Sequence, residues 1–243
     1  MAKRRAGHEN IVYIDNIAGK FHTSSAGDKE LEEFKAAISI IRRGNMLGDE
    51  KRIVLSFDDG PGPASALESI LGALRENDIK AEFYVLGDEV RQFPQAARMI
   101  VDQGHDIQNH SWSHPNLAQE TEEEVRRELE RTQDIIEEVS GVRPTKIRPP
   151  YGAGGFRGHL DPELVRVAEE LSLAIVTWDI DTEDWKAPQG LGEEKIAYIE
   201  EQFSQMPRKV SFNVLMHVLA GTARDLPSFI SRLRGWGFTI AEP

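Results

Sequence analysis

The sequence predicts an α/β fold in which parallel strands form either a barrel or a doubly wound sheet. From about residue 51 onward, apolar runs typical of strands alternate with amphipathic helical segments every ~25 to 40 residues, which implies right-handed parallel crossovers. No G-x-G-x-x-G or P-loop pattern follows any predicted strand, and this disfavours a nucleotide-binding sheet. Polar clusters instead follow most of the strands, and in a barrel those strand ends form the rim that carries catalysis.

Hydrophobic spacing assigns the individual elements. The first core strand is predicted at 53–57, and the helix after it, at 64–77, carries an apolar face of Leu67, Ile70, Leu71 and Leu74. Further strands are predicted at 81–86, 105–108, 146–148, 173–178, 211–216 and 238–240. Further helices are predicted at 94–102, 121–139, 162–171, 192–203 and 224–234. The Glu and Arg run of the helix at 121–139 is interpreted as a solvated, ion-paired face.

Residues 1–50 differ from the rest of the chain and are predicted to form an N-terminal extension that packs on a domain of residues 51–243. Within the extension, 11–14 is predicted as a short strand. A helix is predicted at 29–43 because Leu31, Phe34, Ile38 and Ile41 recur at helical spacing. A chain of 243 residues is long enough to bury a sizeable core, and we expect a single barrel domain.

Composition excludes several classes of partner. A net charge of -12 disfavours nucleic acid and anionic membrane, because both are bound mainly through clustered Lys and Arg, and it favours a neutral substrate. The chain has no cysteine, so any metal must be held by His, Asp or Glu.

The sequence leaves the cellular location open. The basic start at 1–5 is not followed by an apolar run long enough for a signal peptide. No stretch approaches the ~20 apolar residues of a membrane span, so we expect no membrane insertion. The chain as written is expected to be cytoplasmic, or extracellular or in the cell envelope if a leader has been removed.

Two clusters carry residues with metal-ligand chemistry. Asp58 and Asp59 end the first core strand, and neighbouring carboxylates repel unless a cation or a shared proton relieves them. His110 and His114 are four residues apart, a spacing that on a helical turn lets both imidazoles ligate one cation. The ordinary alternatives are a solvated Asp-Asp-Gly turn and a pair of surface or packing histidines.

Three further clusters follow later strands. The run Arg-Pro-Pro-Tyr-Gly at 148–152 places an arginine, which binds carboxylates bidentately, before a rigid turn. Segment 178–185 holds four acids between two tryptophans, a composition suited to binding a sugar ring or calcium, although it lacks the EF-hand spacing. His217 ends an apolar strand. A plain turn at 148–152 and a satisfied core histidine at 217 are the alternatives.

The order of these clusters resembles a known signature. Asp-Asp-Gly, His-x-x-x-His, Arg-Pro-Pro-Tyr-Gly, Asp-x-x-Asp-Trp and Leu-x-His resemble the five motifs of the polysaccharide deacetylases, carbohydrate esterase family 4, also called the NodB-homology domain. The resemblance covers about residues 52–241 and leaves the first 50 outside it. It implies a NodB-like distorted (β/α) barrel with fewer than eight regular units, carrying an N-terminal extension, and metal-dependent removal of acetyl groups from sugars.

Carried over position by position, the resemblance implies a role for each residue. Asp59, His110 and His114 would hold a divalent metal, zinc before cobalt or nickel. Asp58 would be the general base, oriented by Arg148, and His217 the general acid, paired with and tuned by Asp181. The substrate-binding positions would be Tyr151, through its backbone N–H, together with Trp185, Leu215 and Asp184.

The reaction so implied is hydrolysis of the N-acetyl group of an N-acetylglucosamine-containing polysaccharide or oligosaccharide, of the chitin or peptidoglycan type, with release of acetate. An acetylxylan O-deacetylase and a catalytically inactive carbohydrate-binding relative are the alternatives. Val218 departs from the Asp that many members have after the catalytic His. Arg157 and His159, which follow the 148–152 run, are predicted to approach the groove and to affect the choice of substrate. Glycan length, native metal and oligomeric state stay open.

Overall fold

The computed structural model describes residues 51–243 and, by backbone alone, two short strands before them. β1 (Tyr13–Ile14) and β2 (Phe21–His22) pair antiparallel. Backbone contacts divide the chain into two compact units, Met1–Asn45 and Met46–Pro243. β1 lies within the strand predicted at 11–14, whereas the helix predicted at 29–43 lies outside the described residues. The division into an extension at 1–50 and a domain at 51–243 stays a prediction.

One parallel sheet forms the centre of the larger unit. Its strands are β3 (Arg52–Gly60), β4 (Glu82–Val85), β5 (Asp106–Asn109), β6 (Lys146–Ile147), β7 (Ala174–Ile175), β8 (Ile180–Asp181), β9 (Ser211–His217) and β10 (Thr239–Ile240). They run in the order β7-β6-β5-β4-β3-β9-β8, with β10 beside the start of β3, and all pairs are parallel. This curved sheet, a half-barrel surrounded by helices, confirms the predicted distorted (β/α) barrel.

Seven α-helices of the described residues surround this sheet. They are α1 (Ala64–Glu76), α2 (Gly87–Gln92), α3 (Pro94–Asp102), α4 (Glu122–Ser140), α5 (Pro162–Glu170), α6 (Glu193–Gln205) and α7 (Ala220–Gly235). Short 3-10 turns lie at Leu117–Gln119, Pro150–Gly152 and Asp184–Lys186. None of the helices described is long and apolar enough to cross a lipid bilayer.

The longest helix, α4, shows how local sequence sets the limits of an element. Thr121 and Glu124 form a reciprocal capping box at its start, which satisfies backbone N–H groups that no helical carbonyl reaches. Gly141 ends the helix with a φ of 76°, a left-handed conformation that favours glycine. Removing such a cap costs about 1 kcal/mol. The predicted helix at 121–139 therefore ends within a residue of the observed one.

Strand β3 separates the apolar core from the polar interior of the barrel. Successive side chains of a strand point to opposite faces. Leu55 and Phe57 are fully buried in the main apolar cluster, and the ring of Phe57 stacks on that of Phe83 with centroids 5.1 Å apart. The alternate residues, Ser56 and Asp58, are buried among polar groups. The strand thus supports the core on one face and the candidate site on the other.

Four elements differ from the sequence prediction. The strand predicted at 173–178 is β7 alone, and β8 is a separate strand that the prediction lacked. Helix α2 was not predicted, because only Gly87 and Val90 of its six residues are buried and it shows no apolar period. Helix α7 begins at Ala220 and not at 224, since small residues of its first turn are buried without an obvious hydrophobic stripe.

Candidate active site

The polar clusters of the sequence meet at the carboxyl ends of β3, β5 and β9. Asp58 is the register partner of His217, the last residue of β9. The backbone N–H of Arg148 donates to the carbonyl of Asn109, and this bond brings the segment at 148–152 beside the end of β5. Parallel strands present these ends on one rim, as predicted for a barrel.

A bulge at the end of β3 brings two consecutive acids to one imidazole. In a regular strand adjacent side chains would point to opposite faces. Here the pairing of β3 with β4 changes register between Phe57 and Gly60, and Asp59 has a φ of 65°, which is rare outside glycine. As a result Asp58 Oδ2 lies 3.7 Å and Asp59 Oδ1 lies 3.4 Å from His110 Nε2.

Asp59, His110 and His114 form a group that fits a divalent metal. Asp59 Oδ1 lies 3.4 Å from the Nε2 atom of each histidine, and the three ligand atoms lie within 4.8 Å of one another. Ligand atoms about 2.1 Å from one tetrahedral cation would be about 3.4 Å apart. Asp59 Oδ1 is buried and has no hydrogen-bond partner among the residues that the structure describes. An oxygen left unpaired between two ring nitrogens is explained by a cation that all three atoms share.

Neighbouring groups prepare both histidines for ligation. His110 Nδ1 lies 2.6 Å from the carbonyl oxygen of Arg148, and because a carbonyl only accepts, Nδ1 carries the proton and Nε2 presents its lone pair. Burial, aided by the charge of His110, lowers the pKa of His114. Burial raises the pKa of Asp59, but His110, His217 and His114 together bring it down to about 2. The lowered pKa values favour the ionised carboxylate of Asp59 and the neutral ring of His114, the forms that ligate a cation.

The segment between the two histidines is an irregular loop and not the helical turn expected from their spacing. Ser111 and His114 have φ values of 69° and 63°, which no helix contains. Ser111 N donates to Asn109 Oδ1 at 2.8 Å, and the Ser111 hydroxyl accepts from His114 N at 3.1 Å. These local hydrogen bonds compete with helix formation and aim both imidazoles at Asp59.

Glu128, on α4, holds the middle of this loop. Its Oε2 accepts from the backbone N–H groups of Trp112 and Ser113 at 2.8 Å each, and its Oε1 accepts from the Ser113 hydroxyl at 3.0 Å. The Trp112 ring also lies under the guanidinium of Arg131, 3.9 Å from its centroid. The sequence predicted a solvated face for the charged run on α4. Part of that run instead supports the loop between His110 and His114.

Arg148 orients Asp58, as the family resemblance implied. Its Nη1 donates to Asp58 Oδ1 at 2.7 Å, and both side chains are almost completely buried. A buried arginine without such a partner would carry an uncompensated charge, so the pair is mutually required. Asp58 therefore has one oxygen fixed and the other directed toward the histidines.

Asp184, and not Asp181, pairs with His217. Asp184 Oδ1 lies 2.7 Å from His217 Nδ1, and its Oδ2 accepts from His217 N at 2.8 Å and from the hydroxyl of Thr222. Burial lowers the pKa of His217, but its hydrogen bond to Asp184 and the charges of Asp184, Asp58 and Asp59 raise it to about 9. The predicted pairing of Asp181 with His217 is wrong, because the 3-10 turn after β8 carries Asp184 inward.

A cleft of about 370 Å³ lies over these groups. Its polar lining consists of Asp58, Asp59, His110, His114 and His217. Tyr151, Trp178, Trp185, Leu215 and Asp181 line it. Asp181 therefore faces the cleft, and burial raises its pKa. The side chain of Asp184 is only 2% exposed and fully hydrogen-bonded, so its predicted contact with substrate is wrong.

Aromatic rings form the walls of the cleft. Tyr151 is 66% exposed and has a φ of 60°, and its ring meets that of His114 edge to face with centroids 4.6 Å apart. Trp185 is 55% exposed. Exposed rings of this kind offer apolar faces to a ligand. Arg157 and His159 are exposed but do not line the cleft, so their predicted approach to it is not observed.

Sequence reasoning missed three residues that shape the site. Glu128 lies in a helix rich in Glu and Arg, and nothing in the local pattern separates it from the other charged residues. Thr222 hydrogen-bonds Asp184 from the first turn of α7, a turn that the predicted helix did not include. Trp178 was noted only as one end of the acidic segment, yet it lines the cleft and packs edge-on against Phe156.

Comparison with known proteins gives relatives along most of the barrel. A profile of the family described as polysaccharide deacetylase matches residues 47–176. The peptidoglycan-N-acetylmuramic acid deacetylase of Bacillus subtilis (strain 168) is 37% identical over 174 residues, 72% of this chain and 34% of that protein. The peptidoglycan-N-acetylglucosamine deacetylase of Bacillus cereus is 37% identical over 138 residues, 57% of this chain and 48% of that protein. The chain thus spans between a third and a half of the length of these relatives.

Solved structures agree with the fold. A family 4 carbohydrate esterase from Streptomyces lividans, in complex with acetate, superimposes with a TM-score of 0.66 at 30% identity over 80% of this chain and 93% of that chain. A CE4 family pseudoenzyme from Bacillus anthracis has a TM-score of 0.66 at 28% identity over 79% of this chain and 63% of that chain. Because the family profile covers more than half of the sequence and the five motifs meet in one cleft, this chain belongs to the polysaccharide deacetylase family.

Proposed function

We propose that this protein is a metal-dependent deacetylase that hydrolyses the N-acetyl group of N-acetylglucosamine-containing polysaccharide or oligosaccharide, of the chitin or peptidoglycan type. The observation that carries the proposal is the convergence of Asp59, His110 and His114 beside Asp58 and His217 in one cleft. Relatives named as deacetylases of peptidoglycan, and of chitin in Amylomyces rouxii, support the class of substrate.

Asp59, His110 and His114 would hold the divalent cation. Two imidazole nitrogens and one carboxylate suit zinc, with cobalt and nickel as further candidates. A cation bound there supplies Lewis-acid chemistry, which polarises a carbonyl and makes water more acidic. The lowered pKa of His114 supports this role, since a neutral ring is the form that ligates.

Asp58 is suited to accept a proton from the water molecule that attacks the acetyl carbonyl. Its Oδ1 is held by Arg148, so Oδ2 is the atom left for the proton. The fixed guanidinium limits rotation of the carboxylate and keeps the accepting oxygen toward the reacting group. Proton transfer to a positioned base of this kind typically contributes ~10² to 10⁴ in rate.

His217 is suited to donate a proton to the amine that leaves. Its Nδ1 is bonded to Asp184, so Nε2 is the nitrogen that remains for the substrate. Its pKa of about 9 keeps the ring protonated at neutral pH. An amine anion is a poor leaving group, and protonation of the nitrogen allows the C–N bond to break as the carbonyl re-forms.

The cleft itself favours a neutral sugar that carries an acetyl group. Trp185 and Tyr151 provide exposed ring faces on which sugar rings stack, and Leu215 provides an apolar wall for the acetyl methyl group. The backbone N–H of Tyr151 is proposed to donate to the developing oxyanion. Asp181, which faces the cleft, is available to accept a hydrogen bond from a sugar hydroxyl.

A screen of acetate release tests the proposal. The metal-free protein, and the protein reloaded with zinc or cobalt, are incubated with chitooligosaccharides, peptidoglycan and acetylated xylan, with Asp58→Asn as the matched control. We expect release from the N-acetylglucosamine substrates that EDTA abolishes and the Asp58→Asn variant lacks.

The other outcomes of the screen decide between the alternatives. Release from acetylated xylan alone would indicate an O-deacetylase. Binding of glycan without release by the fully loaded protein would indicate an inactive relative, as the pseudoenzyme among the structural neighbours illustrates. Release that survives removal of metal would contradict the metal-dependent reaction.

A further inference from the structure

A chain of polar side chains runs through the barrel interior behind the Asp58–Arg148 pair. Arg148 Nη2 donates to Asn213 Oδ1 at 2.8 Å, and Asn213 Nδ2 donates to Glu82 Oε2 at 2.8 Å. Glu82 Oε1 in turn accepts from Lys146 Nζ at 2.8 Å. These residues belong to the strands β4, β6 and β9 and to the segment just after β6, so their hydrogen bonds link strands from different parts of the sheet.

The guanidinium of Arg148 depends for its orientation on these hydrogen-bonded side chains. Within the described part of the chain its buried Nε has no hydrogen-bond partner, so the hydrogen bonds that hold the group come from the two Nη groups. Nη1 donates to Asp58 and to Ser56 Oγ at 2.9 Å, while Nη2 donates to Asn213. The flat face of the group stacks on the ring of Tyr84, 3.9 Å from its centroid, and this contact does not prevent rotation within the plane.

The amide of Asn213 has one orientation in this setting. Its oxygen faces two donors, Arg148 and the Ser56 hydroxyl at 2.7 Å, and its nitrogen faces the carboxylate of Glu82. A flipped amide would place NH₂ against the guanidinium and two oxygens against each other. Glu82 is 5% exposed and is itself held by Lys146 and by the hydroxyl of Tyr84.

We propose that Asn213, oriented by Glu82, is a positioning residue that fixes the Arg148 guanidinium and through it the carboxylate of Asp58. The proposal rests on the proposed function in one respect, the role of Asp58 as base. It predicts that Asn213 affects the catalytic step although it lies behind the reacting groups and does not line the cleft.

The sharpest test exchanges the donor and the acceptor of the hydrogen bond between Asn213 and Glu82. Asn213→Leu removes the acceptor of Arg148 at similar volume. Asn213→Asp alone sets a second carboxylate against Glu82. In the double variant Asn213→Asp, Glu82→Gln, the carboxylate at 213 still accepts from Arg148, the amide at 82 donates to it, and the amide oxygen still faces Lys146. Gln133→Leu, which removes a buried amide of α4 that donates to the carbonyls of Pro144 and Leu171, is the matched control for lost stability.

Two readouts are needed for these variants. The first is the crystal structure of each variant, which gives the orientation of the Arg148 guanidinium within its plane and the distance between its Nη1 and Asp58 Oδ1. The second is kcat and KM for acetate release by the zinc-loaded enzyme, with metal content measured beside them. We expect Asn213→Leu to rotate the guanidinium within its plane, to lengthen the Nη1–Oδ1 contact and to lower kcat about 10- to 100-fold, with KM and metal content within about twofold of wild type. The double variant should restore the wild-type orientation and most of kcat.

An unchanged orientation of the Arg148 guanidinium in Asn213→Leu would overturn the proposal whatever the activity, and so would a kcat within about twofold of wild type. A kcat in the double variant as low as in Asn213→Asp would overturn it as well, and that variant serves if Asn213→Leu does not fold. An equal loss of kcat in Gln133→Leu would show a general effect of stability. Absence of acetate release by the wild type would refute the proposed function alone, since the variant structures still test the positioning.

Discussion

Substitution of Asp184 by asparagine tests whether this carboxylate sets the charge of His217. The change keeps the shape of the side chain and removes its charge. Asp184 Oδ1 accepts from Trp185 N and lies against His217 Nδ1, while Oδ2 accepts from His217 N and the Thr222 hydroxyl. Wherever the new NH₂ group points, it faces a backbone N–H that cannot accept, so at least one hydrogen bond is lost.

The size of the effect follows from the pKa of His217. Burial lowers this pKa, but Asp184, Asp58 and Asp59 raise it from 6.5 to about 9, which at 1.36 kcal/mol per pH unit is roughly 3 kcal/mol. Because the folded pKa exceeds the unfolded one, this stabilisation is complete below about pH 6.5 and is lost as the pH rises through about 9. In Asp184→Asn the hydrogen bond and the largest of these charges are removed while burial, Asp58 and Asp59 remain, so the pKa should fall. A fall of about 2 pH units would lower the protonated fraction at about pH 8 roughly tenfold.

The assay is the pH profile of kcat for acetate release by the metal-loaded enzyme, from about pH 6 to about pH 10. Asp181→Asn is the matched control, because it neutralises a carboxylate three residues away that faces the cleft and makes no hydrogen bond to His217. We expect the alkaline limb to move down by about 2 pH units in Asp184→Asn and by much less in Asp181→Asn, because Asp181 interacts with His217 through its charge and without a hydrogen bond. The reverse result would refute the assignment of Asp184 as the partner of His217.

Four further substitutions test other parts of the molecule. Asp59→Asn is expected to lose metal and activity together, whereas Asp58→Asn should lose activity and keep metal; metal content measured beside acetate release distinguishes them, and equal metal loss would contradict the division of roles. Glu128→Ala leaves two loop N–H groups without their acceptor and is expected to weaken metal binding about tenfold in competition with a chelator, an effect that unchanged affinity would exclude. Phe57→Ala should lower the free energy of unfolding in urea by about 3 to 5 kcal/mol, because the ring is fully buried, and a loss below about 1 kcal/mol would contradict its place in the core.

Elements with their own periodic pattern were predictable from the sequence. Helix α1 was predicted at 64–77 and lies at 64–76, since its apolar residues recur at helical spacing and pack inward. Strand β8 was not predicted, because it has two residues and exists through its pairing with β9, where Ile180 lies beside Val214. Short elements of this kind are stabilised by their neighbours, which no local pattern records.

The candidate site divides in the same way. The residue types and their order were predictable. As the resemblance implied, Asp59 lies beside His110 and His114, and Arg148 contacts Asp58. Trp185 and Leu215 line the cleft. Which of Asp181 and Asp184 pairs with His217 was not predictable. The two acids lie on one short segment, and only the 3-10 turn after β8, which buries the second beside Thr222, separates them.

Residue order alone predicts that polar clusters follow most strands of a parallel α/β fold, and the absence of cysteine means that any metal must be held by His, Asp or Glu. How those clusters share one site depends on contacts between distant segments. Asp59, Ser111, His114 and Tyr151 all have left-handed backbone conformations that cost free energy and that no residue preference predicts. The packed barrel stabilises these conformations, for example through the bulge in β3 and the hydrogen bonds of Glu128. Side chains distant in the sequence thus stabilise backbone conformations that are unfavourable for each local segment alone.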